Sequence, residues 1–207
     1  MKFPSSVRFV PWVGSNYNKG LHGAKILILG ESHYRKDGKD YSRGLNVELI
    51  SGQANSTGEY PGRYAYWTKI INLVSPSDID PHRFWNSVAY YNYIQEFVGL
   101  NPRDRPTKVM WEDAEKPFYK VLSILKPDLI LTLGIKLWNS LPCDDCSEVD
   151  GERDPSYCKY IIDDHAIIAA KTRHPSSVGF NYFAWRPVVK KGIRLAIKNK
   201  SASRRLR

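Results

Sequence analysis

Hydrophobic positions along the chain gather into four short continuous runs and several longer segments of helical period. Lys25-Ile26-Leu27-Ile28-Leu29 runs into Gly30. Ser87 to Tyr93 is β-branched and aromatic. Asp128 to Leu133 closes on Gly134, and Ala166 to Thr172 ends at Arg173-His174-Pro175. Continuous apolar runs of this length, bounded by turn residues, predict strands buried on both faces of a parallel sheet. Tyr66, Trp67, Ile70, Ile71 and Val74 recur at helical spacing and predict a helix over about 63–74; core is the plainer reading of its aromatics and the one preferred for Trp67. Asp80-Pro81 opens a short helix through Phe84 and Trp85. Thr107 caps a helix over about 110–125, with Pro117 as an irregularity near its middle and Lys126-Pro127 as its end. Further helices follow through Leu137 and Trp138 and over about 183–198. Tyr160 to Ile162 reads as a short edge strand. Residues 1–24 show no clean period and read as an irregular lead-in. Arg35 to Gly62, rich in Gly, Asp, Ser and Asn, reads as a long loop, and long loops in compact domains are often functional.

Strands alternating with helices predict an α/β fold, a three-layer α/β/α sandwich with a central, mainly parallel four-stranded sheet. The 207 residues suffice for one domain with a full core, expected over 1–199, with 200–207 as a basic tail. No stretch of about 18 apolar residues predicts a membrane span. Met1-Lys2-Phe3-Pro4-Ser5 lacks an apolar signal region, so a cytoplasmic location is expected.

Charge sharpens the picture. The net charge is +10, yet before His165 there are 20 Lys/Arg against 21 Asp/Glu, while from His165 onward there are 11 Lys/Arg and no acidic residue. A segment of one sign fits a polyanionic partner, nucleic acid first. For Lys200 to Arg207 alone, a solubilising role fits equally well. Lys171 and Arg173, beside an apolar strand, are harder to read as a tail. Cys143, Cys146 and Cys158 do not form a secreted disulfide framework. With His165 their spacing is irregular for zinc, and they read as free thiols in a reducing compartment.

In open α/β sheets, ligands bind outside the carboxyl ends of the strands. Here those ends carry Gly30-Glu31-Ser32-His33-Tyr34, Asn92, Gly134 and His174-Pro175-Ser176-Ser177. In this order the motifs GESHY, YYNY, KPDLILTLG and RHPSS resemble those of the uracil-DNA glycosylase superfamily, over about residues 25–195. The resemblance implies a monomeric enzyme that acts on DNA without cofactor or metal, for repair or against phage DNA. It would flip a base from the stack and hydrolyse its N-glycosidic bond.

The resemblance also assigns roles. Asn92 reads the base edge, since an amide offers both a donor and an acceptor. His174 donates to the base where negative charge builds as the bond breaks. The backbone after Gly30 faces the base, and Glu31 matches the Gln or Glu of the family motif. Tyr34 forms a wall against C5 of the base. An aromatic must stack on the flipped base; Tyr64 is the candidate, with Tyr60 in reserve. Pro175, Ser176 and Ser177 with Arg173 face the DNA backbone. Val178 falls at the family's apolar wedge, with Phe180 as the alternative. Gly134 and Lys136 match a phosphate-contacting loop.

The chain also departs from the family. Ser32 stands where the best catalysts carry a water-activating Asp, and a serine without a base is a poor general base. A dissociative hydrolysis follows, with Ser32 positioning water and Glu31, Asp37 and Asp40 as reserve carboxylates. The motifs hold no Schiff-base lysine, so strand cleavage is not expected. His33 replaces a proline, which predicts a less rigid turn. The long loop after Tyr34 leaves the base open among uracil, a deaminated purine and a bulky modified pyrimidine. Two other readings compete. One is a catalytically inactive DNA-binding module of the same fold. The other is a serine hydrolase with Ser32, His174 and Asp163 or Asp164 as a triad, although the Gly-x-Ser-x-Gly elbow is missing.

Overall fold

The fold is taken from a computed structural model that describes residues 1–35, 42–54, 65–75, 79–101, 104–142 and 154–205. Four runs become the centre of one sheet: β2 (Ile26–Gly30), β3 (Ala89–Asn92), β4 (Leu129–Leu133) and β6 (His165–Thr172). These four are parallel. β1 (Trp12–Val13) and β5 (Tyr157–Ile162) pair antiparallel on the two edges, giving the order β1-β3-β2-β4-β6-β5. The expected sheet of four strands is therefore corrected to a mixed sheet of six, four of them parallel. β1 lies in the stretch read as an irregular lead-in. At two residues it is too short to leave a period of its own.

Every residue of β2, β3 and β4 is buried, as continuous apolar runs require. Alternate side chains enter two cores. Ile26, Ile28, Tyr90, Leu131 and Ile168 pack with α1 (Leu45–Ala54), α2 (Ala65–Val74), α3 (Pro81–Ser87) and α6 (Tyr182–Arg205). Leu27, Leu29, Tyr91, Ile130 and Ala169 pack with α4 (Lys108–Leu125) and α5 (Ile135–Ser140). Helices on both faces make the three layers.

Helix ends follow local chemistry. Asp80 accepts from the N–H groups of His82 and Arg83, with Pro81 next to it at the helix start. Thr107 accepts from the Met110 N–H, and the helix runs unbroken through a buried Pro117 to a left-handed Lys126. α1 lies within the stretch read as a loop, which is corrected accordingly. The basic tail is also corrected, since α6 continues through residue 205. Lys200 Nζ lies 2.9 Å from Oδ2 of the buried Asp128, which also accepts from the Lys25 N–H at 2.8 Å. Lys200 thus closes the sheet's amino end instead of extending into solvent. Cys158 is disulfide-bonded, which corrects the free-thiol reading; Cys143 and Cys146 lie outside the described residues. Among the described residues no helix is long and apolar enough to cross a membrane.

Removing Lys200 leaves the buried Asp128 carboxylate short of its cation. Lys200→Ala should cost about 1–2 kcal/mol, less than a fully buried pair because the lysine remains partly hydrated. In a chain of this size that lowers Tm by about 3–6 °C. An unchanged thermal melt would show that the pair adds nothing.

Candidate active site

β2, β3, β4 and β6 all release their chains at the same edge of the sheet. Between these exits lies a cavity of about 1010 Å³. It is lined by Glu31, Ser32, His33 and Tyr34 after β2, by Asn92 at the end of β3, by Gly134 and Lys136 after β4, and by Arg173, His174, Ser176, Ser177 and Val178 after β6. Four stretches, the first at Glu31 and the last ending at Val178, therefore meet at one place. Gly30 lies beneath the lining. A Cβ on it would fall 2.1 Å from Asn92 Oδ1 and 2.8 Å from the Tyr90 hydroxyl, so only glycine lets the two strand ends approach. Pro175 is buried behind the cavity wall, where its carbonyl accepts from Lys69 Nζ at 3.1 Å. Tyr64, Tyr60, Asp37 and Asp40 lie outside the described residues.

His174 has a defined tautomer. Its Nδ1 accepts from the Ser176 N–H at 3.1 Å, which puts the ring proton of the neutral form on Nε2. Its ring stacks on Tyr66, with centroids 5.4 Å apart and planes at 28°. Burial lowers the affinity of the imidazole for a second proton, and Arg105 lowers it further. The site thus holds a neutral histidine with one N–H donor. Burial pushes the Glu31 carboxyl up, while Arg105 and Lys136 pull it back toward the charged form. Arg105, Lys136 and Arg173 are exposed cations on the lining, and Val178 is 92 % exposed at its rim. Phe180, the other candidate wedge, is half-buried against the core.

Asn92 is 4 % exposed and heavily engaged. Its Oδ1 accepts from the Tyr90 hydroxyl at 3.1 Å. Its Nδ2 donates to the Ser32 carbonyl at 3.4 Å and lies 3.3 Å from His33 Nδ1 and 3.1 Å from His33 Nε2. His33 Nε2 faces Asn46 Oδ1 at 2.9 Å, and the ring packs edge-on against Phe9. The expectation of a loose turn is corrected. His33 is a buried post that ties the turn to α1, to β3 and to the lead-in. Burial holds its imidazole down at about 4.

Three participants carry no functional signal in the residue order. Tyr66 stands out in the residue order only as an aromatic at helical spacing, yet it lines the cavity and stacks on His174. Trp67 serves core and cavity alike, packing on Trp85 and Tyr90 while touching the cavity. Arg105 sits in a polar link that carries no motif. The proposed triad does not assemble. Asp163 and Asp164 form the β5–β6 turn at the amino end of β6, opposite His174, and His174 Nδ1 already takes the Ser176 N–H. Among the described residues no group of three or more His, Cys, Asp or Glu could hold a metal ion. No protein-family model and no curated protein matches the chain.

The buried neutral His33 makes folding sensitive to acid. Its ordinary value is near 6.5 in the unfolded chain, so between about pH 6.5 and 4 the unfolded state takes a proton that the folded state refuses. Stability should therefore fall with pH across that window, by up to about 3 kcal/mol from this group. Chemical denaturation of wild type and His33→Phe at pH 7 and 4.5 isolates the effect. A wild-type loss no larger than that of the variant would contradict it.

Proposed function

We propose that the protein is a monofunctional DNA glycosylase that hydrolyses the N-glycosidic bond of a flipped base. The observation that carries this reading is the convergence of Glu31 to Tyr34, Asn92, Gly134 with Lys136, and Arg173, His174, Ser176 and Ser177 with Val178 on one cavity. The pattern fits the resemblance to the uracil-DNA glycosylase superfamily, with Ser32 and His33 as its departures.

The chemistry is assigned to the chain's own residues. The flipped base enters between Tyr34 and Tyr66, and Asn92 reads its edge. As the glycosidic bond stretches, electrons flow into the base and positive character builds on the sugar. His174 Nε2–H donates to the base oxygen that gains charge. A single such donor is worth about 3–4 kcal/mol. Because the ring is neutral, it stabilises this charge without giving up its proton. Glu31 takes the role for which the family uses Asp, since Ser32 cannot serve as a base. Its carboxyl, which burial pushes up and Arg105 and Lys136 draw back toward the charged form, faces the oxocarbenium-like sugar and orients water. Arg105, Lys136 and Arg173 take the flanking phosphates, and Val178 enters the gap left in the stack.

The cavity lies at the upper end of the range of about 300–1,000 Å³ that holds drug-sized ligands. Leu45 and Leu49 add apolar surface to its lining. This favours a modified base over bare uracil.

Incubation with oligonucleotides carrying uracil, hypoxanthine, xanthine, or hydroxymethyl- or glucosyl-modified cytosine, followed by alkali, tests the reading. Strand breaks are expected with at least one modified base. Binding without breaks at any base would leave an inactive DNA-binding module in its place. His174→Ala should lower excision at least 100-fold while salt-dependent DNA binding persists. Undiminished excision would remove His174 from its role.

A further inference from the structure

Asn92 is an amide, and an amide free at both ends can read a donor and an acceptor together. The hydrogen bonds around it remove half of that capacity. Asn46 Nδ2 donates to the carbonyls of Phe9 at 3.3 Å and Val10 at 3.1 Å. Its Oδ1 therefore faces His33 Nε2, which must carry the ring proton to donate across 2.9 Å. Asn92 Nδ2 rests against the His33 ring, 3.3 Å from Nδ1 and 3.1 Å from Nε2. An N–H of that amide points to the Ser32 carbonyl, an obligate acceptor that excludes the flipped rotamer. The amide nitrogen of Asn92 is thus enclosed by the protein, with the Ser32 carbonyl on one side and the His33 ring on the other. Oδ1 accepts from Tyr90 and keeps one lone pair, the last hydrogen-bonding capacity of the residue.

We infer that His33 makes Asn92 an acceptor only, so that the cavity reads a hydrogen-bond donor on its ligand and favours a base with an amino group at that edge over its keto counterpart. This rests on the glycosylase reading for the identity of the ligand, a base in DNA. The acceptor itself rests on the contacts of Asn92 alone. His33 is a positioning residue: it touches Asn92, and Asn92 touches the base. A keto oxygen at the same place would meet the lone pair of Oδ1 and find no N–H to accept from. A mismatched or missing hydrogen bond of this kind discriminates by about tenfold.

The test uses two single-stranded oligonucleotides with 5-hydroxymethylcytosine or 5-hydroxymethyluracil at one position. The two bases carry the same substituent and differ at the adjacent exocyclic group and its ring nitrogen. Fluorescence anisotropy measures binding, and alkali after incubation measures excision. Wild type is expected to bind the amino base about tenfold more tightly. His33→Phe combined with Asn46→Leu keeps the ring packing on Phe9, frees one Asn92 N–H, and should bring the ratio to about one. A thermal melt checks that the double variant folds. If it does not, the side-chain amide of Asn92 in wild type serves instead. Its two protons should exchange slowly with water both before and after the amino-base oligonucleotide is added.

Equal or tighter binding of the keto base by wild type overturns the inference, as does failure to bind either. An unchanged ratio in the folded double variant, or fast exchange of the Asn92 amide, removes His33 from the role. Tighter binding of the amino base with neither base excised, and with no strand break at any base of the wider panel above, leaves the inference standing and defeats the glycosylase reading. Excision of both with no preference does the reverse.

Discussion

The site depends on how closely the ends of β2 and β3 approach. Asn92 Oδ1 lies over Gly30, where a Cβ would stand 2.1 Å away. The contact needs glycine on one strand and a fully bonded amide on the other. An unbonded amide at that depth would cost more than the approach contributes. Bonds from Tyr90, to Ser32 and with His33 meet that cost. His33 in turn rests on Asn46, and Asn46 on the carbonyls of Phe9 and Val10. The polar floor of the cavity thus leads back through α1 to the lead-in.

That chain explains which parts of the fold could be read from the residues alone. The four parallel strands are legible because burial on both faces leaves unbroken apolar runs. Thr107, Asp80 and Lys126 mark helix ends through local chemistry that needs no tertiary context. α1 is hidden for a reason tied to the site. Its inward face carries the buried polar Asn46 between Leu45 and Ile50, while Leu49 is turned outward to the cavity and stays exposed. Its apolar stripe is broken at the positions the site uses. The end of α6 is hidden because Lys200 looks like a solvent-facing lysine, and only the fold brings Asp128 to it.

The candidate site divides in the same way. Glu31, Asn92, His174 and their neighbours are legible as polar residues at strand exits, where open α/β sheets bind ligands. Tyr66, Trp67 and Arg105 are not. An aromatic at helical spacing has the same signature whether it fills the core or lines a cavity, and an arginine in a polar link has none. The role of His33 is equally invisible in the residue order, since a histidine at a turn gains its meaning from Asn46, 13 positions away. His174 and His33 end up as two neutral imidazoles with opposite duties. One leaves an N–H open to the cavity, and the other takes up an N–H that would otherwise be open.

The central claim is that this cavity takes a nucleotide out of DNA. A crystal structure with an oligonucleotide containing a stable abasic-site analogue tests it most directly. The account predicts the extruded sugar between His174 and Glu31, flanking phosphates on Arg105, Lys136 and Arg173, and Val178 in the gap of the stack. DNA bound on another face with this cavity empty would contradict it.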